Sequence, residues 1–450
     1  MKVKVNRLSD DKYNDKCLIS RDIFDKLNLS DKAEYNIHVG QLNYYSFIKV
    51  LENEVNTIMI PDNIFDKLYL VDELDLNIKK ENQNIYLGPI VGIFINHYNF
   101  PLYEDGSAPK HHARGAISQN CLCYYFSTES IDWNEKRIKG YTLLPSSEEW
   151  ANGWFPMPDV IYDRGVGFEQ EEKQLVKEIR KRLKNYPNMK IINRRNYLSK
   201  KETYEKLFKY PEINKFFPKT INYTSFNDVI IMLKQYDFVF IKASLGSGGK
   251  QVLSIEKENE EYKLIFYSGG LKELDLKEIN EVRDYVENFT EGRQFIIQEG
   301  IRLLKYKGQV FDMRLLTIKN NQGEWRVISN WSRIAKANYT ITNYCAGGGL
   351  ELYENMYNDL IDFYGEDKIP SEKQIEESTI MIAEYIEKAF GSFGEIGMDM
   401  AIDIDGKLWF IEANTKPDKD LVEGYDDFDG IPPQNLAIFE YARYLVGFND

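Results

Sequence analysis

Phe238-Val-Phe-Ile-Lys242 alternates like a strand and ends on a lysine; Ala243-Ser-Leu-Gly-Ser-Gly-Gly249-Lys250 follows, and Val252-Leu-Ser-Ile255 resumes the alternation. Glycine has no Cβ, so such a loop can bring backbone N–H groups against the oxygens of a polyphosphate. Ser244, Gly246, Ser247, Gly248 and Gly249 would form the cradle, and Lys242 would add a point charge. A tight turn between two strands asks for the same residues, so the loop admits both readings. It is not a Walker A loop, because Gln251 follows Lys250 where Ser or Thr is needed.

A second group lies near the C-terminus. Ile396-Gly-Met-Asp-Met-Ala-Ile-Asp403 and Leu408-Trp-Phe-Ile-Glu-Ala-Asn414 read as two strands joined by Ile404-Asp-Gly-Lys407, and Asp-Gly between alternating runs signals a hairpin. Residues two apart in a strand share a face, so Glu412 and Asn414 can join Asp399 as oxygen donors. That set suits Mg²⁺ shared with substrate phosphates better than zinc. The other reading is a pair of solvated polar positions at a strand end, but the apolar run Leu408 to Ile411 implies a core strand, where an unpaired carboxylate is costly. Between the two groups, Arg314 and Arg333 each interrupt an apolar, strand-like stretch. Their planar forks suit phosphate or carboxylate oxygens, or a structural partner such as Asp312.

The elements that position these residues follow from patterning. Glu372 to Gly391 carries Ile375, Ile382, Ile386 and Ala389 at one-faced helical spacing, with Gly391 as the stop. Upstream, Cys17 to Leu29 realigns with Ile58 to Leu70 at a period of 41 residues, each copy a strand, a short helix and a further strand. Two copies are too few for a solenoid, so the expectation for residues 1–88 is a closed pseudo-two-fold, double-psi-like β-barrel. Gly88-Pro89 closes that unit. Ile90 to Ile95, Cys121 to Phe126 and Pro158 to Tyr162 are then apolar strands of a small α/β domain, 89–168, with Trp150 to Pro158 expected as a packed loop. The remainder, 169–450, alternates strands and helices. The fold class is therefore a multidomain α+β or α/β protein.

Composition narrows the function classes. The net charge of −14, from 57 basic and 71 acidic side chains, opposes attraction to nucleic acid. No apolar run reaches the length of a membrane span, and the N-terminal segment lacks a secretory h-region, so a cytoplasmic protein without a membrane partner is expected. Four cysteines and four histidines lack the spacing of a disulfide framework or zinc site.

Taken in order, Phe311-Asp-Met-Arg314, Ser332-Arg-Ile-Ala335 with Thr342-Asn343, Gly394-Glu-Ile-Gly-Met-Asp399 and Trp409-Phe-Ile-Glu-Ala-Asn-Thr-Lys-Pro417 resemble the ATP-grasp superfamily, and within it the YheC/YheD-type endospore coat-associated proteins. The opening barrel, Gly88 to Ile93 and Pro158 to Arg164 resemble that family's front half, including a small pre-ATP-grasp-like domain. The resemblance implies a C-terminal ATP-grasp fold binding ATP and Mg²⁺. Lys200 or its neighbour Lys201, together with Lys242, would contact phosphates. Gln298, Glu299 and Ile301 would line adenine and ribose. Arg314, Arg333 and Asn343 would face the transferring phosphoryl group or acyl substrate, and Asp399, Glu412 and Asn414 would hold the metal. The implied activity is carboxylate–amine ligation forming a peptide or other amide bond through an acyl phosphate, on an amino acid, peptide or protein. The alternative is a non-catalytic ATP-binding protein associated with the spore coat. A kinase of the protein-kinase type is disfavoured, since H-R-D and D-F-G signatures are missing.

Overall fold

The computed structural model describes residues 1–13, 15–72, 74–96, 108–246, 251–259, 261–267, 270–336, 349–418 and 430–448. The chain forms two compact units: the first takes residues 1–194 and 318–324 and, from the C-terminal stretch, 430–448; the second takes 195–317 and 325–418.

In the first unit the repeat becomes a closed barrel of seven strands. Lys16–Ser20, helix Arg21–Lys26 and Glu34–Val39 form one copy; Thr57–Pro61, helix Asp62–Lys67 and Leu74–Glu81 form the other. The equivalent Ile23 and Ile64 are both fully buried, and the two leading strands pair antiparallel through Ile19 and Ile58. Beyond Gly88 the strands Ile90–Phe94, Leu122–Phe126, Val160–Asp163 and Lys190–Ile192 pair in parallel. The first three are buried along their length, which explains their unbroken apolar sequence. Trp150–Pro156, expected as a loop, is a strand paired along its length with Arg137–Leu143. Its Gly153 faces Gly140, and Pro156 falls at the end, where a missing N–H does least harm to the ladder. Helix Pro433–Leu445 returns to this unit and packs on helix Ala108–Ser118; a Cβ at Gly115 would lie 2.3 Å from the Asn435 carbonyl oxygen. Cys17, Cys121 and Cys123 are buried free thiols.

The second unit contains two sheets that carry the candidate residues. One runs in the order Thr220–Asn222, Phe295–Glu299, Phe238–Ala243, Val252–Glu258, Glu261–Tyr267 and Leu271–Leu276, covered by helices Phe226–Leu233 and Ile279–Thr290 over an apolar core. The other runs Gly349–Leu352, Trp325–Ile334, Gln309–Lys319, Glu395–Ile402 and Leu408–Asn414, with Lys305–Tyr306 paired on the Gln309 strand. Helix Glu372–Phe390 packs beneath it through Ile375, Ile382 and Ile386; Ser371 and Gln374 cap its start reciprocally, and Gly391 ends it at φ 92°. At the Asp-Gly turn, Asp403 Oδ1 accepts from the Asp405 and Lys407 backbone N–H groups, and Gly406 takes φ 85°. No helix among the described residues is long and apolar enough to cross a membrane.

Gly300 fixes the approach of the first sheet to its own connection. Its N–H donates to the Phe238 carbonyl at 2.8 Å, and a Cβ there would lie 2.2 Å from Phe238 Cδ1. Gly300→Ala is therefore expected to destabilise the second unit by about 1–3 kcal/mol, read as a lower urea midpoint.

Candidate functional site

The two sheets of the second unit line one cleft of about 720 Å³. Along Phe238–Ala243 the pleat sends Val239 and Ile241 into the core and Phe238, Phe240 and Lys242 into the cleft. Gln298 lies opposite Phe240 in the ladder; its Oε1 accepts from Lys242 Nζ at 2.6 Å and its Nε2 donates to Thr220 Oγ1 at 3.0 Å. Burial pulls the Lys242 ammonium pKa down to about 8. The nearby Lys200 charge adds to the shift, and Glu412 opposes it. Glu299 Oε2 accepts from the Lys219 N–H at 3.0 Å, and Ile301 lies on the cleft surface.

On the opposite wall, Gln309–Lys319 alternates in the same way. Phe311, Met313 and Leu315 go to the core, while Val310, Asp312 and Arg314 face the cleft. Arg314 bonds both oxygens of Asp399 through Nε and Nη2. Arg333 forks onto Asp312, Nε to Oδ1 at 2.7 Å and Nη2 to Oδ2 at 2.6 Å, and its Nη2 also reaches Asp399 Oδ2 at 2.9 Å. Burial by itself would raise the Asp399 pKa, but the charges and hydrogen bonds of Arg333 and Arg314 outweigh it and hold the carboxyl at about 2.

Lys200 links the walls. It begins helix Lys200–Leu207, which Ser199 caps by accepting from the Glu202 N–H at 3.1 Å. The Lys200 N–H donates to the Ser244 carbonyl at 2.9 Å, while Nζ donates to the Gly246 carbonyl at 3.1 Å and pairs with Glu412 at 2.8 Å. Tyr204, one turn on, donates to the Ile411 carbonyl at 3.0 Å, tying the helix to the hairpin. In that hairpin Asp399 pairs with Glu412 and Met400 with Phe410, so Ile411 is an extra, bulged residue. The bulge is what allows Leu408, Phe410 and Ala413 to lie in the core while Glu412 and Asn414 face the cleft.

Of the residues expected from sequence, Lys200, Lys242, Gly246, Gln298, Glu299, Ile301, Arg314, Arg333, Asp399, Glu412 and Asn414 all line this cleft. Ser244 does not; it is buried, with its N–H donating to the Gln294 carbonyl at 2.8 Å and its carbonyl taken by Lys200. Ser247, Gly248, Gly249 and Asn343 lie outside the described residues. Sequence reasoning missed Phe240, Val252, Lys305 and Lys416 in the lining. Phe240 was within reach, since it sits two residues before Lys242 on the same face. Among the described residues no group of three or more His, Cys, Asp and Glu side chains converges as a metal site. Asp399, Glu412 and Asn414 instead offer two carboxylates and an amide at adjoining ladder positions, which fits a hard cation that takes its other ligands from waters and a phosphate.

A family model described as YheC/D like ATP-grasp matches residues 188–445. Endospore coat-associated protein YheD of Bacillus subtilis (strain 168) is 25% identical over 378 residues, 81% of this chain and 80% of that protein. Endospore coat-associated protein YheC of the same organism is 22% identical over 299 residues, 65% of this chain and 79% of that protein. Among solved structures, the ATP-grasp ligase PsnB complexed with minimal precursor aligns at TM-score 0.47 and 12% identity, over 78% of this chain and 98% of that one.

The depressed Asp399 pKa has a signed consequence. The carboxyl titrates near 4 when unfolded and at about 2 when folded, so its contribution to stability is complete above pH ~4 and is lost as pH falls from there through about 2. Asp399→Asn is expected to lose about 3–5 kcal/mol at neutral pH, because a buried pair is left with one partner, and to flatten the acid limb of the curve. Urea titrations across pH check both.

Proposed function

This chain belongs to the YheC/D-like ATP-grasp family, and from that premise we propose that its cleft binds Mg·ATP and uses it to join a carboxylate to an amine, on an amino acid, peptide or protein. The observation that carries the reading is the convergence, on one cleft, of the Lys242 strand with the Arg314, Arg333 and Glu412 strands. The opening barrel we read as double-psi-like, from its repeat, and the layered sheet after it as pre-ATP-grasp-like, with boundaries near 88 and 168.

In this reading Lys200 and Lys242 hold the phosphates, while Phe240, Gln298, Glu299 and Ile301 receive the nucleoside. Asp399, Glu412 and Asn414 would hold Mg²⁺, which would supply positive charge against the phosphate oxygens. A substrate carboxylate oxygen attacks the γ-phosphorus, and the bond to the ADP oxygen breaks, giving an acyl phosphate and ADP. The amine nitrogen then attacks the acyl carbon, phosphate leaves with the bonding electrons, and the nitrogen gives up a proton. Arg314 and Arg333, fixed by their carboxylates, neutralise charge on the transferred group. This chemistry needs charge compensation and in-line alignment, and no protein nucleophile.

A second reading is a spore-associated protein that binds ATP without ligating anything. It is favoured by the names of the relatives, which are endospore coat-associated. Incubation with Mg·ATP and pools of amino acids or peptides, followed by phosphate release and product mass, separates the two. A condensed product supports ligation; tight nucleotide binding without turnover supports the second reading and overturns the first.

Glu412→Ala is expected to lose nearly all ATP turnover, and normal turnover by that variant would remove the metal assignment. Lys242 supplies a pH test. With its ammonium at about 8 in the free protein, a phosphate placed beside it raises the pKa. ATP binding near pH 8 should therefore take up roughly half a proton, falling towards zero about two units lower, and affinity should weaken as pH rises past 8. Calorimetry in buffers of different ionisation heat measures the uptake, and Lys242→Met should abolish it.

A further inference from the structure

We propose that Asp312 is a positioning residue that aims Arg333 at the γ-phosphate; the proposal rests on the nucleotide reading above. A guanidinium has five N–H donors in a fixed plane. In Arg333, Nε and Nη2 are consumed by Asp312 at 2.7 and 2.6 Å, and Nη2 reaches Asp399 as well at 2.9 Å. These three bonds lie along the Nε/Nη2 edge of the plane, and that direction leaves Nη1 as the edge available to a ligand. Arg314 is held by the same edge on Asp399, so both guanidinium planes are clamped from one side while lining the cleft.

Asp312 itself cannot drift. It is 5% exposed and stands between Phe311 and Met313, which are 1% and 0% exposed in a central strand. Its two oxygens both accept from Arg333, which makes it the anchor of that arginine. Two arginines and two aspartates balance in charge. Without the Asp312 carboxylate, both guanidinium groups would share Asp399, and Arg333 would swing its Nε/Nη2 edge towards that residue, carrying Nη1 off its line. An error of about 1 Å in such a group is enough to cost a large part of its effect. The sequence signal is the spacing Asp312-Met-Arg314, in which the anchor of one arginine and the second arginine share a strand face.

The test compares AMPPNP with ADP, because only the first presents a γ-phosphate. Affinities for each, with Mg²⁺, are measured by calorimetry for the unaltered protein, Asp312→Asn, Arg333→Ala and the double variant. Asp312→Asn should keep its ADP affinity within about twofold and lose about tenfold of its preference for AMPPNP, the worth of one charge-assisted hydrogen bond. The double variant should lose no more than Arg333→Ala alone, since Asp312 acts through Arg333. Asp312→Glu keeps the charge but displaces the fork by one methylene, and it should lose the preference while melting like the unaltered protein; this covers the case in which Asp312→Asn folds poorly. An unchanged AMPPNP preference in Asp312→Asn and Asp312→Glu, or losses that add in the double variant, would overturn the positioning role while leaving the nucleotide reading intact. Failure of the unaltered protein to bind either nucleotide overturns both. Loss of preference without any ligation by the unaltered protein sustains the positioning role and removes the ligase.

Discussion

The second unit depends on a buried four-membered ion cluster, in which Asp399 receives Arg314 and Arg333 and Asp312 receives Arg333. Taking such groups out of water is expensive, and only mutual contact with good geometry offsets it. The strands Gln309–Lys319, Trp325–Ile334 and Glu395–Ile402 are therefore held to each other by polar contacts on one face and by Phe311, Met313, Leu315, Met398 and Met400 on the other. The apolar face makes the sheet; the ionic face decides which way two guanidinium groups look.

The facing wall works with weaker couplings. Lys242 has a neutral partner, Gln298, and Lys200 is divided between the Gly246 carbonyl and Glu412. In the proposed nucleotide reading, these are arrangements that an arriving triphosphate would re-partition at modest cost, because each lysine exchanges one oxygen for another. One wall is held by a closed set of paired charges, and the other by contacts in which each lysine keeps a neutral oxygen acceptor.

Much of this was legible because period two is a strong pattern. Lys242 at a strand end, the Asp-Gly turn, the one-faced helix Glu372–Phe390 and the 41-residue repeat each follow from local spacing alone. What escaped depended on long-range facts. Trp150–Pro156 reads as a loop by its Gly and Pro, yet the partner strand Arg137–Leu143 supplies the missing hydrogen bonds. Ser244 looks like part of a phosphate cradle, but its backbone is engaged by Gln294 and Lys200, neither of which is near in sequence. Nothing in Pro433–Leu445 tells which unit it joins; the absent Cβ of Gly115 does. The parity of Glu412 was reasoned correctly within its own two-residue step, but strict alternation carried back to Phe410 would have put both on one face. Only the bulge at Ile411 reconciles a core phenylalanine with a cleft glutamate.

That extra residue gives the last hairpin something like a reading frame. Upstream of Ile411 the even-numbered side chains look inward to the core; downstream the odd-numbered Ala413 does, and the even positions open outward. Losing or gaining one residue there would leave every letter of Glu-Ala-Asn intact and yet exchange inside for outside. Length changes between the turn and Glu412 are thus tolerable in steps of two, and a single-residue slip would mute the motif without altering a word of it.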